Sequence, residues 1–158
     1  MDRSEKEARY EEALQQLDYL LGAGGKYELD DVGKMATIVT VLKMALPSFF
    51  FVGFYRATPR RVLLIGPYQG EVLACGTIPY ERGVCGACAA GLRTIVVPDV
   101  SRFPGYIACD GLTRSEIVVP VMRDGELLAV LDVDGVGVGD FDETDRRYLE
   151  RLVRRHWG

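Results

Sequence analysis

Four cysteines, Cys75, Cys85, Cys88 and Cys109, and three acidic residues, Glu116, Asp132 and Asp134, are the side chains of this chain whose types and spacing could do chemistry. A cysteine ionised to its thiolate is a nucleophile that can be oxidised and then close a disulfide with a second cysteine. An outside dithiol can reopen that bond by exchange. Each cysteine also has a plainer reading. Free cysteine is among the most buried residue types, so Cys75, late in the segment VLACGTI, and Cys88 fit small core positions equally well. Cys109 differs, because it sits in IACDGL beside Asp110 and Gly111, in a stretch with no apolar period. The Cys-x-x-Cys of Cys85 and Cys88 raises a four-cysteine zinc site, but the other two cysteines stand alone where zinc ribbons show a second pair. No metal and no other cofactor is expected.

Asp132 and Asp134 alternate in LLAVLDVD, on the face that Leu128 and Val130 share before them. A strand running out into solvent would look like this. Glu116 argues for something more, because it begins the preceding strand, and antiparallel pairing puts that beginning beside the end of LLAVLDVD. Three clustered carboxyls suit a ligand bearing an ammonium group, and their crowding raises the pKa of one so that it stays protonated. Hydrolytic chemistry is poorly served. The one histidine, His156, lies two residues from the C-terminus on the apolar stripe of a helix, which leaves a Cys-His or Ser-His pair without its base and a zinc hydrolase short of ligands.

The elements that must position these groups read as follows. Tyr10, Ala13, Leu14, Leu17 and Leu21 recur at helical spacing from Ser4 to Leu21, and three glycines then end the pattern. A second helix runs from about Asp30 to Leu46, before Pro47. FFFVGFY (49–55), RVLLIG (61–66) and VLACGTI (72–78) read as strands, GVCGACAAGL (83–92) as a short tightly packed helix, and TIVVPDV (94–100) as a further strand. Residues 101–114 form a loop of a length that often carries function. SEIVVPVM and LLAVLDVD flank Asp124-Gly125, a strong hairpin signal. Asp142 caps a last helix with Asp145 in its first turn and Leu149, Leu152, Val153 and His156 as its stripe. GVGVGD (135–140) lacks the Lys-Ser/Thr ending of a phosphate loop and reads as a turn. This order predicts one α+β domain over 1–158, with an N-terminal helix within 1–25, a C-terminal helix at 142–157, and an antiparallel sheet with its helices on one side and its other face free for a ligand.

Length and composition agree. A chain of 158 residues with 48% apolar content builds one core. A net charge of −4 and pI near 5.1 leave no basic stripe, so nucleic acid is not an expected partner. The polar N-terminus MDRSEKEARYEEALQQ does not read as a secretory signal and no apolar run reaches the length of a membrane span, so a cytoplasmic location without membrane contact is expected. Thiols are kept reduced there, which favours reactive, buried or metal-binding cysteines over a structural disulfide framework.

Sulfoxide reduction uses this inventory fully: a thiolate attacks sulfur, an acid protonates the departing oxygen, and a second cysteine condenses with the resulting sulfenic acid. The stretches GPYQGEVLACGTIPYERGVCG, IACDGLTRSEIVVPV and AVLDVD resemble the free methionine-(R)-sulfoxide reductases, stand-alone members of the GAF-domain fold. The likeness spans about residues 30 to 155 and fits Cys75, Cys85, Cys109, Glu116, Asp132 and Asp134 without a gap. It implies Cys109 as nucleophile, Cys75 as resolving partner and Cys85 as the third family cysteine, although the residues alone let either Cys75 or Cys85 meet Cys109. It further implies Glu116, Asp132 and Asp134 as the ammonium-binding and proton-donating wall, Tyr55 at the thioether end, thioredoxin as electron donor and a homodimer. Two features depart from the family: Phe51 stands where tryptophan is usual, and Cys88 is an extra cysteine with no assigned role. Most GAF domains are ligand sensors, so a small-molecule or redox sensor without turnover is the alternative.

Overall fold

A computed structural model describes all residues 1–158. Helix α1 (Arg3–Leu21) and helix α2 (Asp31–Ala45) begin by the same device. Asp2 accepts from the Glu5 backbone N–H at 2.8 Å, and Asp30 from that of Gly33 at 2.9 Å, which satisfies donors a helix start leaves free. The expected α1 stripe of Tyr10, Ala13, Leu14, Leu17 and Leu21 is the buried one.

Strands β1 (Phe51–Arg56), β2 (Val62–Gly70) and β3 (Thr77–Pro79) precede helix α3 (Gly83–Gly91). After it come β4 (Ile95–Val97), a single 3-10 turn at Val100–Arg102, β5 (Ser115–Arg123), β6 (Glu126–Gly135) and helix α4 (Glu143–Trp157). The six strands form one sheet in the order β3-β2-β1-β6-β5-β4, antiparallel throughout. The expected hairpin joins β5 to β6, with Asp124 and Gly125 at φ 52° and 78°, as a two-residue type I′ turn requires. Asp142 accepts from Thr144 N at 2.9 Å while Asp145 accepts from Asp142 N at 2.9 Å, a capping box that starts α4. Asp145 also takes the Tyr10 hydroxyl at 2.6 Å and the Lys6 ammonium at 2.8 Å, tying the last helix to the first.

Alternation along the central strands divides the molecule into two cores. Val52 and Phe54 of β1, Ile117, Val119 and Val121 of β5, and Ala129, Leu131 and Val133 of β6 pack with α1, α2 and α4. Phe51, Tyr55, Val118 and Val130 point the other way, into a smaller core shared with α3 and the 3-10 turn. Three helices thus lie on one face as the sequence predicts, and α3 takes the face expected to be free for a ligand, narrowing the space left there.

The segment VLACGTI is not a continuous strand. Only Thr77, Ile78 and Pro79 pair, with Leu64, Leu63 and Val62. Strand β2 runs on past its expected end to Gly70, since its far half pairs with Phe51–Gly53 of β1. The chain must then travel back along β2 to reach Leu64, and residues 71–76 loop out to do so. Cys75 is therefore on a loop.

Candidate active site

Strand register assembles the carboxyls. Glu116 faces Asp134 across β5 and β6, and Asp134 faces Phe51 across β6 and β1, so these three stand in one row on one face. The next row on that face is Val118, Asp132 and Gly53, and the one beyond holds Val130 opposite Tyr55. Gly53 leaves a gap in this floor that only glycine allows. A Cβ there would lie 2.5 Å from the Cβ of Tyr68 and 2.9 Å from the ring of Phe51, which stacks on Tyr68 with centroids 5.4 Å apart.

Helix α3 closes the floor from above. Gly86 lets it come down on the sheet, because a Cβ there would meet the Pro79 carbonyl oxygen at 2.4 Å. The approach brings the Cys85 Sγ to 3.9 Å from Glu116 Oε2, and turns the Cys88 thiol toward the Val118 carbonyl at 3.8 Å. Both are free thiols and both are buried. Cys109 arrives on the loop that precedes β5. Asp110 folds this loop by accepting from Leu112 N at 2.7 Å, Thr113 N at 2.8 Å and the Thr113 hydroxyl at 2.9 Å. The fold holds Cys109 against the loop of Cys75, and the two are joined as a disulfide, with Cα atoms 5.4 Å apart across 34 residues of chain. Cys109 is exposed and Cys75 half-buried.

Electrostatics at the site run against ionisation. Burial, and then the neighbouring charges of Asp132 and Asp134, push Glu116 well above the ordinary carboxylate range. Burial also raises Asp132, although hydrogen bonds from Glu116 and Cys85 pull it back down, and burial followed by the charge of Asp132 raises Asp134 well above its usual value. No lysine or arginine forms an ion pair with any of the three. One oxygen each of Asp132 and Asp134 is buried with no hydrogen-bond partner. Such a wall holds protons and offers its free oxygens to a cationic donor. Burial and the same three carboxyls push Cys85 well above the usual thiol value, and burial raises Cys88 to about 12. Neither ionises readily, so neither is a good nucleophile.

Cys85, Glu116 and Asp132 each bring a donor atom within 4.8 Å of the others. A thiol and two carboxyls could take a divalent cation, but all three must first surrender protons that the site binds tightly.

All eight residues expected at the site converge here: Cys75 and Cys109 at the mouth, Cys85 on α3, Glu116, Asp132 and Asp134 on the floor, Phe51 and Tyr55 on the far wall. Three more belong with them. Gly53 was visible as a glycine inside a strand, which marks close approach. Tyr106 enters from the Cys109 loop, and burial followed by the charges of Glu116 and Asp134 raises its hydroxyl pKa. Arg82, ahead of α3, is the one cationic side chain lining the cleft. Nothing in the local sequence of the last two sets them apart from other surface residues.

Residues 35–157 match the family model described as a GAF domain. A relative in Saccharomyces cerevisiae, named free methionine-R-sulfoxide reductase, is 46% identical over 107 residues, which is 66% of this chain and 59% of the yeast protein. One of the same name in Escherichia coli is 36% identical over 126 residues, covering 80% of this chain and 75% of the relative. Among solved structures, the free methionine-R-sulfoxide reductase of Neisseria meningitidis in complex with its substrate superposes with a TM-score of 0.87 at 43% identity, covering 94% of this chain and 86% of that one.

Proposed function

Because the chain belongs to the GAF-domain family, with free methionine-R-sulfoxide reductases among its relatives in sequence and structure, we propose that it reduces free L-methionine-(R)-sulfoxide to methionine. The observation that carries the reading is the Cys75–Cys109 disulfide at the mouth of a cleft whose carboxyl floor keeps two buried oxygens unpartnered. An amino-acid ammonium supplies the donors that floor lacks. A peptide-bound methionine sulfoxide has an amide in that place and offers no charge, so the free amino acid is the substrate. Arg82 is suited to the α-carboxylate.

Cys109 is the nucleophile, being exposed on a loop while Cys85 is buried among carboxyls that disfavour its thiolate. Its thiolate attacks the sulfoxide sulfur as Glu116, whose buried carboxyl holds its proton well above the usual carboxylate range, passes that proton to the oxygen. The attack forms a bond between the two sulfurs. The protonated oxygen then passes to the Cys109 sulfur as the substrate's sulfur–oxygen bond and the new sulfur–sulfur bond both break, so methionine leaves as the thioether and Cys109 becomes a sulfenic acid. Cys75 condenses with it, water departs and the disulfide forms. A thioredoxin dithiol then returns two electrons and two protons. Cys85 donates toward Glu116 and orients its carboxyl, while Tyr55 and Phe51 wall the methyl end of the substrate.

NADPH oxidation coupled through thioredoxin and thioredoxin reductase tests this with the free (R) sulfoxide, the (S) epimer and the N-acetylated (R) sulfoxide. Turnover of the first alone is the expected result. Turnover of none would replace the enzyme by a sensor whose disulfide forms once.

A further inference from the structure

Leu73 and Leu112 are among the most exposed large apolar side chains of the protein, at 79% and 60%. Leucines scattered singly over a surface need no explanation. These two are not scattered. Leu73 lies two residues before Cys75 and Leu112 three after Cys109, so backbone reach keeps their Cα atoms within about 8 and 11 Å of the bridged cysteines. The Asp110 turn, with its 2.7 Å bond from Leu112 N, draws the second closer still. Ala108, beside Cys109, is exposed too. The apolar side chains thus flank the one bond that another protein must open, since an attacking thiolate has to reach a sulfur of the Cys75–Cys109 pair.

We infer that Leu73 and Leu112 form the docking surface for the protein dithiol that reduces the Cys75–Cys109 disulfide. This rests on the disulfide being the catalytic one. The donor seats an apolar rim around its own active thiol on the two leucines. Its thiolate attacks one sulfur, the other leaves as a thiolate, and the donor's second thiol resolves the mixed disulfide, leaving the donor oxidised and both cysteines reduced. The leucines confer no chemistry. They supply contact area at the point of exchange and distinguish a protein donor from a small thiol, which needs no surface.

The test measures reduction of the preformed disulfide directly, without any sulfoxide, by stopped flow with reduced thioredoxin and separately with dithiothreitol. In the Leu73→Asp/Leu112→Asp double variant the second-order rate constant with thioredoxin falls tenfold or more, while that with dithiothreitol stays within twofold of the parent. Both residues are exposed, so the fold is retained, and circular dichroism checks it. An unchanged thioredoxin rate overturns the proposal. So does an equal fall with both reductants, which would make the leucines a support of the loops. Failure of the function proposed above shows separately, as absence of sulfoxide turnover in a parent whose disulfide thioredoxin still reduces.

Discussion

Leu131 and Asp132 are neighbours on β6, both buried, and they sit under opposite rules. Leu131 points into the core beneath α1, α2 and α4, where apolar side chains fill the space and Asp145, the one buried carboxylate there, has Tyr10, Lys6 and a backbone N–H as partners. Asp132 points the other way, into a face where three carboxyls stand together with no cation paired to them and two oxygens have no partner. A fold selected only for stability would not keep unpaired buried carboxyls, which cost free energy whether charged or neutral. The difference separates the two faces by role: the helix face is packed for stability, and the cleft face keeps the polar groups on which the proposed chemistry rests.

That contrast can be broken by substitution, and the largest effect belongs to the cleft. Cys109→Ser should lower sulfoxide turnover by about 10³-fold or more, the scale at which a lost nucleophile shows. Its thermal midpoint in reducing buffer should stay near that of the parent, since the side chain is exposed. Leu131→Ala should do the reverse. It costs about 2–5 kcal/mol of stability, as truncations in close-packed cores do, and leaves kcat at 20 °C within about threefold, because catalysis needs only the folded fraction. If Leu131→Ala instead abolished turnover in a protein still folded by circular dichroism, the two faces would not be separable.

Asp132→Asn sharpens the comparison, since it replaces a buried carboxyl by a neutral group of the same shape. kcat/KM for the free sulfoxide should fall by about 10²-fold, mostly in KM, if the carboxylate pairs with an ammonium. The thermal midpoint should hold or rise. A clear fall in midpoint would mean that Asp132 is a structural acceptor. Arg82→Met is the smaller companion: an exposed partner of the substrate carboxylate should be worth about tenfold in KM with kcat unchanged, near the low end for charge-assisted bonds.

Much of this division was legible in the sequence, for physical reasons that differ by element. The strands obey a period of two, so Asp132 and Asp134 shared a face and Glu116 met them by antiparallel pairing before any coordinates. Asp124-Gly125 and the Asp142 cap are local signals that tertiary packing had no cause to override. Cys75 was misplaced because VLACGTI is apolar enough for a strand, and only the long-range pairing of β2 with β1 shows that its first half has no partner. Helix α3 carries small or apolar residues on nearly every side, so no stripe told which face of the sheet it covers. Tyr106 and Arg82 reach the cleft through the fold alone, with no local signal. Phe51 entered by resemblance, and the register explains its place, level with Glu116 and Asp134.

The smallest predicted effect tests the protonation on which the proposed chemistry depends. Glu116, Asp132 and Asp134 all have folded pKa values above their ordinary ones of 4.5, 3.8 and 3.8. Between those ordinary values and the raised ones the folded protein holds more protons than the unfolded chain. Stability from these groups is therefore fully present below the ordinary values and is lost as pH rises through the raised ones, at up to about 1.4 kcal/mol per pH unit for each extra proton held. His156 acts in the opposite sense. Burial lowers its pKa below 6.5, so its contribution is lost on acidification. The two must be separated by difference. Denaturant unfolding of the parent and of Glu116→Gln at pH 7 and pH 5 does this, because His156 is common to both. Glu116→Gln should be the more stable protein at pH 7, and its advantage should shrink at pH 5, because the stability the parent loses through its raised carboxyl accumulates as pH rises above the ordinary value. A constant difference between the two proteins would mean that Glu116 titrates alike in both states. It could not then serve as the acid that protonates the sulfoxide oxygen.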